Sequence, residues 1–183
     1  MDVSIIQGQQ IFKYDPSVEG YTSGNVFYTV SGTPAISSGN LRLNADTVQS
    51  DIAMTYGTLE IVSSIPVVPT SGDAREWGLK SGNLGNKGRL VFNTTDDVFA
   101  ITFYDENGTL KVSQPITWDA SWTATQTRWT IERYQRTVRF YVNSVQVYMM
   151  TGISFENFAK YPLPVYISNT YAVNMDVSYV SMF

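Results

Sequence analysis

The sequence predicts an all-β protein, a sandwich of two antiparallel sheets, and three observations lead to that prediction. Aromatic residues make up 14% of the 183 residues and charged residues only 15%, and aromatic side chains suit the half-buried surface of a strand. Turn residues divide the chain into short apolar segments, which is typical of antiparallel strands. No long stretch has the 3.6-residue period of an amphipathic helix. Two sheets packed face to face would give every apolar strand face a partner.

The length of 183 residues suits one domain, so we expect residues 1–183 to form a single β-sandwich domain. Period-two alternation marks the clearest strands: Val138, Phe140 and Val142 alternate with polar side chains. Strands are predicted at residues 10–14, 25–31, 40–44, 52–63, 76–80, 89–93, 99–104, 109–113, 128–134, 138–143, 146–150, 165–168 and 174–183.

Residues 105–108 predict a hairpin turn, because their Asn-Gly pair tolerates the positive φ of primed turns. Residues 66–73 and 81–88 are predicted as loops. The single helical turn predicted spans residues 152–160, where Phe155, Phe158 and Ala159 have helical spacing.

Composition excludes several classes of function. With no His and no Cys, the chain cannot hold a Ser-His or Cys-His catalytic pair or a zinc site of those ligands. We expect no cofactor and no metal, since the acids at 96–97 and 105–106 stand where tight turns would place them. A net charge of −4 without a Lys/Arg cluster argues against nucleic acid as a partner. No apolar run is long enough for membrane insertion, and the start of this chain has no signal peptide.

A family resemblance rests on the order and spacing of seven segments between residues 38 and 180. They are SGNLRL (38–43), YGTLEIV (56–62), EWGLKS (76–81), TRWTIER (127–133), VRFYVN (138–143), LPVYISN (163–169) and MDVSYV (175–180). Their order resembles the concanavalin A-like jelly roll shared by legume-type lectins, laminin G-like domains and the β-glucanases of that superfamily. The resemblance implies a jelly roll whose faces or loops contact glycans.

The resemblance also implies where catalytic groups would be expected. Glucanases of this superfamily carry paired carboxylates on one strand of the concave sheet, and retaining hydrolysis needs the two carboxyl groups about 5–5.5 Å apart. Here the strand after residues 76–81 reads RLVFNT (89–94) and contains no acid. We therefore expect a non-catalytic member of the superfamily, and not an enzyme.

The first candidate binding surface is the segment 116–125, which places Trp118 and Trp122 four residues apart with Asp119 between them. Indole rings offer a flat apolar surface for the C–H face of a sugar and one hydrogen-bonding group. The alternative is that Trp118 faces the core and Trp122 closes one end of the sandwich, since large aromatic side chains are mostly buried. Trp77 and Trp129 are expected in the core.

The second candidate surface is a set of polar and aromatic side chains that point outward from predicted strands. If those strands are neighbours in one sheet, the set forms one binding surface; the alternative is an ordinary solvated face. The set consists of Glu60, Thr102, Tyr104, Glu132, Tyr134, Arg139 and Tyr141, of which Tyr104, Glu132, Tyr134, Arg139 and Tyr141 are predicted to bind the ligand.

These patterns predict a recognition or assembly module with a lectin-like jelly roll. It would bind a glycan, such as a cell-surface polysaccharide, or other structural proteins at a virion surface or tail fibre, in an adhesion role. The first alternative is a purely structural decoration or scaffold subunit without a glycan ligand, which would form a homo-oligomer. The second is a polysaccharide-active enzyme that uses Glu60 and Glu132.

Overall fold

The computed structural model describes residues 12–80, 88–134, 136–151 and 162–183. The helical turn predicted at 152–160 and most of the loop predicted at 81–88 lie outside these ranges. The described residues form fifteen strands and two helices of a single turn. The strands are Phe12–Tyr14 (β1), Phe27–Ser31 (β2), Ala35–Ser37 (β3), Asn40–Leu43 (β4), Asp46–Met54 (β5), Gly57–Ser64 (β6), Ala74–Lys80 (β7), Arg89–Thr95 (β8), Val98–Tyr104 (β9), Leu110–Pro115 (β10), Thr127–Tyr134 (β11), Thr137–Val142 (β12), Val145–Thr151 (β13), Leu163–Asn169 (β14) and Met175–Met182 (β15), and the helices are Pro16–Glu19 (α1) and Ser121–Ala124 (α2).

The strands form two sheets, and every pairing among the described residues is antiparallel. The eight-stranded sheet has the order β13-β12-β11-β6-β15-β4-β3, with β1 also paired to β15. The seven-stranded sheet has the order β10-β9-β8-β7-β14-β5-β2. This confirms the predicted all-β, two-sheet antiparallel sandwich.

Aromatic rings from both sheets fill the core between them. The rings of Trp77 in β7 and Trp129 in β11 meet edge to face with their centroids 5.0 Å apart, and Phe92 in β8 meets Phe140 in β12 at 5.2 Å. All four side chains are at most 1% exposed. Alternation on each strand therefore directs one set of side chains into this aromatic core and the other set outward.

The structure differs from the predicted elements in several places, among them α2 and residues 46–51 of β5, which lie in no predicted element. Residues 52–63, predicted as one strand, divide into the end of β5 and most of β6, and Gly57, with a φ of +134°, lies where the chain passes from one sheet to the other. Strand β3 was missed because its three residues carry no buried apolar side chain. Helix α1, also missed, starts where Asp15 Oδ1 accepts a hydrogen bond from the backbone N–H of Ser17 and Pro16 fixes the first turn. In the described ranges, no helix is long and apolar enough to cross a membrane.

Candidate functional site

The side chains on the outer face of the seven-stranded sheet can be identified from their neighbours that point into the core. Trp77 and Leu79 are buried in the core, so Glu76 and Lys80 point outward from β7. Directly paired residues on neighbouring strands share a face. Asn93 pairs with Glu76 and Arg89 with Lys80 on β8, while Ser168 pairs with Glu76 on β14.

Outward-pointing polar side chains on this sheet are shielded from solvent, and we call this surface the recessed face. Five of its members are only 6–9% exposed, whereas Glu60, Thr130 and Glu132 on the outer face of the other sheet are half-buried. Polar side chains are rarely this buried on the outside of a sheet unless they serve a site or a contact. The recessed face consists of Glu76, Lys80, Arg89, Asn93, Thr102, Tyr104, Tyr166 and Ser168. The five members that are 6–9% exposed are Arg89, Asn93, Thr102, Tyr166 and Ser168.

A row of charges and tyrosines crosses the recessed face. Lys80 Nζ lies 2.7 Å from Glu76 Oε2, and the Arg89 guanidinium donates a hydrogen bond to Glu76 Oε1. Lys80 Nζ also lies 4.5 Å from the ring centroid of Tyr166, and Arg89 Cζ lies 5.0 Å from that of Tyr104. The Glu76 carboxylate is thus held between two cations, each of which contacts the face of an aromatic ring.

Two uncharged polar atoms that are buried in the recessed face have no hydrogen-bond partner in the described part of the chain. These are Asn93 Oδ1 and Thr102 Oγ1, on the adjacent strands β8 and β9. The amide nitrogen of Asn93 is engaged, since it donates to Thr95 Oγ1 over 3.1 Å. A buried polar group without a partner costs about 1–3 kcal/mol, so such groups mark places where a further donor or acceptor belongs.

A pocket of about 240 Å³ opens beside Glu76. Its volume is below the roughly 300–1,000 Å³ of sites for drug-sized ligands, so it suits one small unit of a larger ligand. It is lined by Ala74, Arg75, Glu76, Thr94, Thr95, Tyr166, Ser168 and Thr170.

The tryptophans of the first candidate surface pack against the core. Trp122 is 8% exposed and meets the ring of Trp118 edge to face at 5.2 Å, and both rings contact Phe99. Trp122 is thus buried in the core cluster, whereas Trp118 is half-buried and packs against that cluster. Asp119 is exposed, and the hydrogen bond from the backbone N–H of Ser121 lowers its pKa. A ligand contact of these residues stays a prediction.

The second candidate set does not form one surface, because its strands belong to different sheets. Thr102 and Tyr104 lie on β9 in the seven-stranded sheet. The other members, Glu60, Glu132, Tyr134, Arg139 and Tyr141, lie on β6, β11 and β12 of the eight-stranded sheet. The expected single surface is therefore corrected to two opposite faces.

On the eight-stranded sheet, the acids of this set are paired with neighbouring side chains, as Glu76 is on the recessed face. Glu132 Oε2 accepts a hydrogen bond from the Tyr141 hydroxyl over 2.9 Å and lies 3.4 Å from Arg139 Nη1. Burial, followed by this hydrogen bond, raises the pKa of Tyr141. Glu60 Oε2 lies 3.5 Å from Arg128 Nε. Among the described residues, this face is a network of ion pairs.

Glu60 and Glu132 nevertheless lie at diagonal positions on adjacent strands. Glu60 pairs with Thr130, and Glu132 pairs with Thr58. Side chains at such diagonal positions are about 7–8 Å apart. The buried Ser181 Oγ, beside Glu60 on β15, has no hydrogen-bond partner in the described residues. This face is therefore the alternative location against which the recessed face has to be tested.

Asp96 and Asp105 lie in turns and accept hydrogen bonds from the backbone. Asp105 Oδ1 accepts hydrogen bonds from the backbone N–H groups of Asn107 and Thr109 within the β9–β10 hairpin, and these bonds, with Lys111, lower its pKa against the opposing effect of desolvation. Asp96 Oδ1 accepts from the backbone N–H of Gly72. No group of three or more acids in the described ranges could hold a metal ion.

Sequence reasoning missed the central residue of the recessed face, Glu76. The signal was present, because Trp77 and Leu79 were both expected in the core and alternation then directs Glu76 and Lys80 outward. The expected absence of acids concerned residues 89–94, which lie in β8, the next strand along the sheet.

Comparisons with solved structures match nearly the whole chain. A Crh5 transglycosylase in complex with NAG is 13% identical with a TM-score of 0.72, covering 93% of this chain and 82% of that one. The catalytic domain of a laminarinase from Thermotoga petrophila is 10% identical with a TM-score of 0.70, covering 95% and 96%. A β-glucanase from Bacillus licheniformis is 10% identical with a TM-score of 0.69, covering 96% and 98%.

The chain has the jelly-roll fold of these glucanases and transglycosylases. The predicted concanavalin A-like fold is thereby confirmed. The prediction that the chain is not an enzyme is contradicted, because these similar structures are named as transglycosylase, laminarinase and glucanase. No family model and no curated protein matches the chain.

Proposed function

We propose that the chain is a carbohydrate-active protein that binds a polysaccharide across the recessed face and acts on it through Glu76. The observation that carries the proposal is the pair of buried atoms without partners, Asn93 Oδ1 and Thr102 Oγ1, on the same face as Glu76 and the pocket. The fold shared with laminarinase and transglycosylase structures supports a carbohydrate as the ligand.

The hydrogen-bonding groups of the face suit the hydroxyl groups of a sugar. Asn93 Oδ1 can only accept a hydrogen bond, whereas the Thr102 hydroxyl can donate or accept. A sugar hydroxyl does both, so one unit can serve either atom. Gly78 has a φ of +150°, and a Cβ at this residue would stand 2.5 Å from the backbone oxygen of Leu90 and 3.0 Å from Cδ1 of the core residue Ile131, so close packing requires a glycine between Glu76 and Lys80.

Glu76 is the acid that β7 places on the recessed face. Cleavage or transfer at a glycosidic bond develops positive charge at the anomeric carbon, and a carboxylate facing that carbon stabilises the charge or attacks it. The next outward positions along β7 hold Gly78 and Lys80. We therefore propose the anionic role for Glu76, and we assign no second carboxylate on that strand.

Polysaccharide binding is tested with a panel of plant, microbial and animal polysaccharides, using affinity electrophoresis for binding and chromatography for products. The informative variant is Thr102→Val, which removes an unpartnered hydroxyl and so leaves the fold intact. Loss of one such hydrogen bond to a sugar lowers affinity about 10-fold, because roughly 1.4 kcal/mol corresponds to a factor of ten.

Thr130→Val is the matched control, because Thr130 lies on the outer face of the eight-stranded sheet. We expect Thr130→Val to bind like the unaltered chain. The proposal fails if no polysaccharide binds, or if the two valine variants bind equally well.

The biological setting is a separate part of the proposal: contact with a cell-surface polysaccharide at a virion surface or tail fibre, beside other structural proteins. This part rests on the use of the fold in surface recognition, and weak single-site affinities would gain from several copies in an array. Mass spectrometry of purified particles tests it. Absence of the chain from particles would reject the setting and leave the glycan site standing.

A further inference from the structure

We infer that the polysaccharide bound at the recessed face is anionic, and that Lys80 and Arg89 bind its carboxylate or sulfate groups. The inference rests on the proposed function and specifies its substrate class. It starts from the charges of the face. Two cations, Lys80 and Arg89, stand against one acid, Glu76, and they are the charged members of the recessed face.

These charges lie where water screens them weakly. The side chains of Lys80, Glu76 and Arg89 are 13%, 22% and 10% exposed. A charge that is largely removed from water interacts more strongly with a neighbouring charge than a solvated one does. Among the described members of the face, two cations stand against one acid, and an anionic group of a ligand would bring these charges into balance.

The aromatic rings of the face point to the same class of ligand. A neutral pyranose is commonly held by stacking its C–H face on an open aromatic ring. Here Lys80 contacts a face of the Tyr166 ring and Arg89 contacts a face of the Tyr104 ring. Cation–π contacts hold the two cations against these ring faces, so a neutral pyranose would have to compete with the cations to stack there.

The chain as a whole carries a net charge of −4, which repels a polyanion at long range. Attraction at the recessed face is therefore a local effect of Lys80 and Arg89. Lys80 donates one of its three ammonium N–H bonds to Glu76. An added carboxylate or sulfate can approach the same ammonium group without displacing Glu76.

The test compares three polymers of similar length: a neutral β-glucan, a polyuronate and a sulfated galactan, each at low and at high salt. We expect one of the two acidic polymers to bind at least 10-fold more tightly than the neutral one, and this preference to shrink in high salt. Which acidic polymer binds better distinguishes a carboxylate from a sulfate as the recognised group.

Three variants locate the effect. We expect Lys80→Gln to weaken acidic-polymer binding about 10-fold and Glu76→Gln to strengthen it. Arg128→Gln removes a cation from the other sheet, and we expect this variant to bind the acidic polymers as tightly as the unaltered chain does. Thermal melting shows whether Lys80→Gln is folded; if it is not, the salt-dependent preference of the unaltered chain remains the deciding measurement.

Equal or tighter binding of the neutral glucan would overturn the inference and leave the proposed function in place. Equal weakening by Lys80→Gln and Arg128→Gln would also overturn it. If none of the three polymers binds, and no polysaccharide of the wider panel binds, the proposed function itself is rejected.

Discussion

We expect that replacing Glu76 with Gln lowers turnover of the polysaccharide proposed as the substrate by about 100-fold or more, while the polysaccharide still binds. Gln keeps the size of the side chain but carries no negative charge to face the anomeric carbon. Removal of one group that stabilises transition-state charge typically costs about 10²–10³ in turnover. Product formation, measured over a range of substrate concentrations, separates the change in kcat from the change in KM.

The matched control is Glu132→Gln, which makes the same chemical change on the outer face of the eight-stranded sheet. We expect this variant to keep full turnover. A reversed result, with turnover lost in Glu132→Gln and kept in Glu76→Gln, would move the reaction to the face that holds Glu60 and Glu132.

Replacing Asp73 with Asn is expected to lower the free energy of unfolding by about 3–5 kcal/mol, the usual cost of breaking a buried ion pair. Arg75 Nη1 lies 2.8 Å from Asp73 Oδ2, and both side chains are fully buried. Asp73 Oδ1 also accepts a hydrogen bond from Thr94, and Arg75 Nε donates to Asn169. The pair ties the start of β7 to β8 and β14, next to Glu76. Urea denaturation measures the effect.

The cost arises from the lone Arg75 left behind, and the pKa directions agree with this account. Desolvation raises the pKa of Asp73 and lowers that of Arg75, so pairing offsets only part of the cost of burial. The double variant Asp73→Leu with Arg75→Met should recover most of the lost stability, because it removes both charges. A loss below about 1 kcal/mol in Asp73→Asn alone would contradict the role of the pair.

Much of the strand pattern follows from the sequence, because alternation is a local property. The strands β9, β11 and β12 were predicted from side chains two residues apart, and each is within a residue or two of its predicted bounds. Alternation does not say which sheet a strand joins. Tyr104 and Tyr141 were therefore expected on one surface, whereas β9 pairs with β8 and β10 and β12 pairs with β11 and β13.

The candidate site depends on register between strands, which the sequence does not specify. The contact of Glu76 with Arg89 joins β7 to β8, and its neighbour Ser168 comes from β14, more than 90 residues later in the chain. Burial is also non-local: Trp118 and Trp122 are covered because Phe99 and Trp129 pack against them. The residues were visible in the sequence, but their neighbourhood was not.

The most direct test of the central claim is an NMR titration of the backbone and side-chain amides with an oligosaccharide cut from the polysaccharide that binds. We expect the largest shifts at Glu76, Asn93 and Thr102, all on the recessed face. Shifts confined to Glu132 and Tyr141 on the opposite sheet, or to the segment around Asp119, would contradict the account.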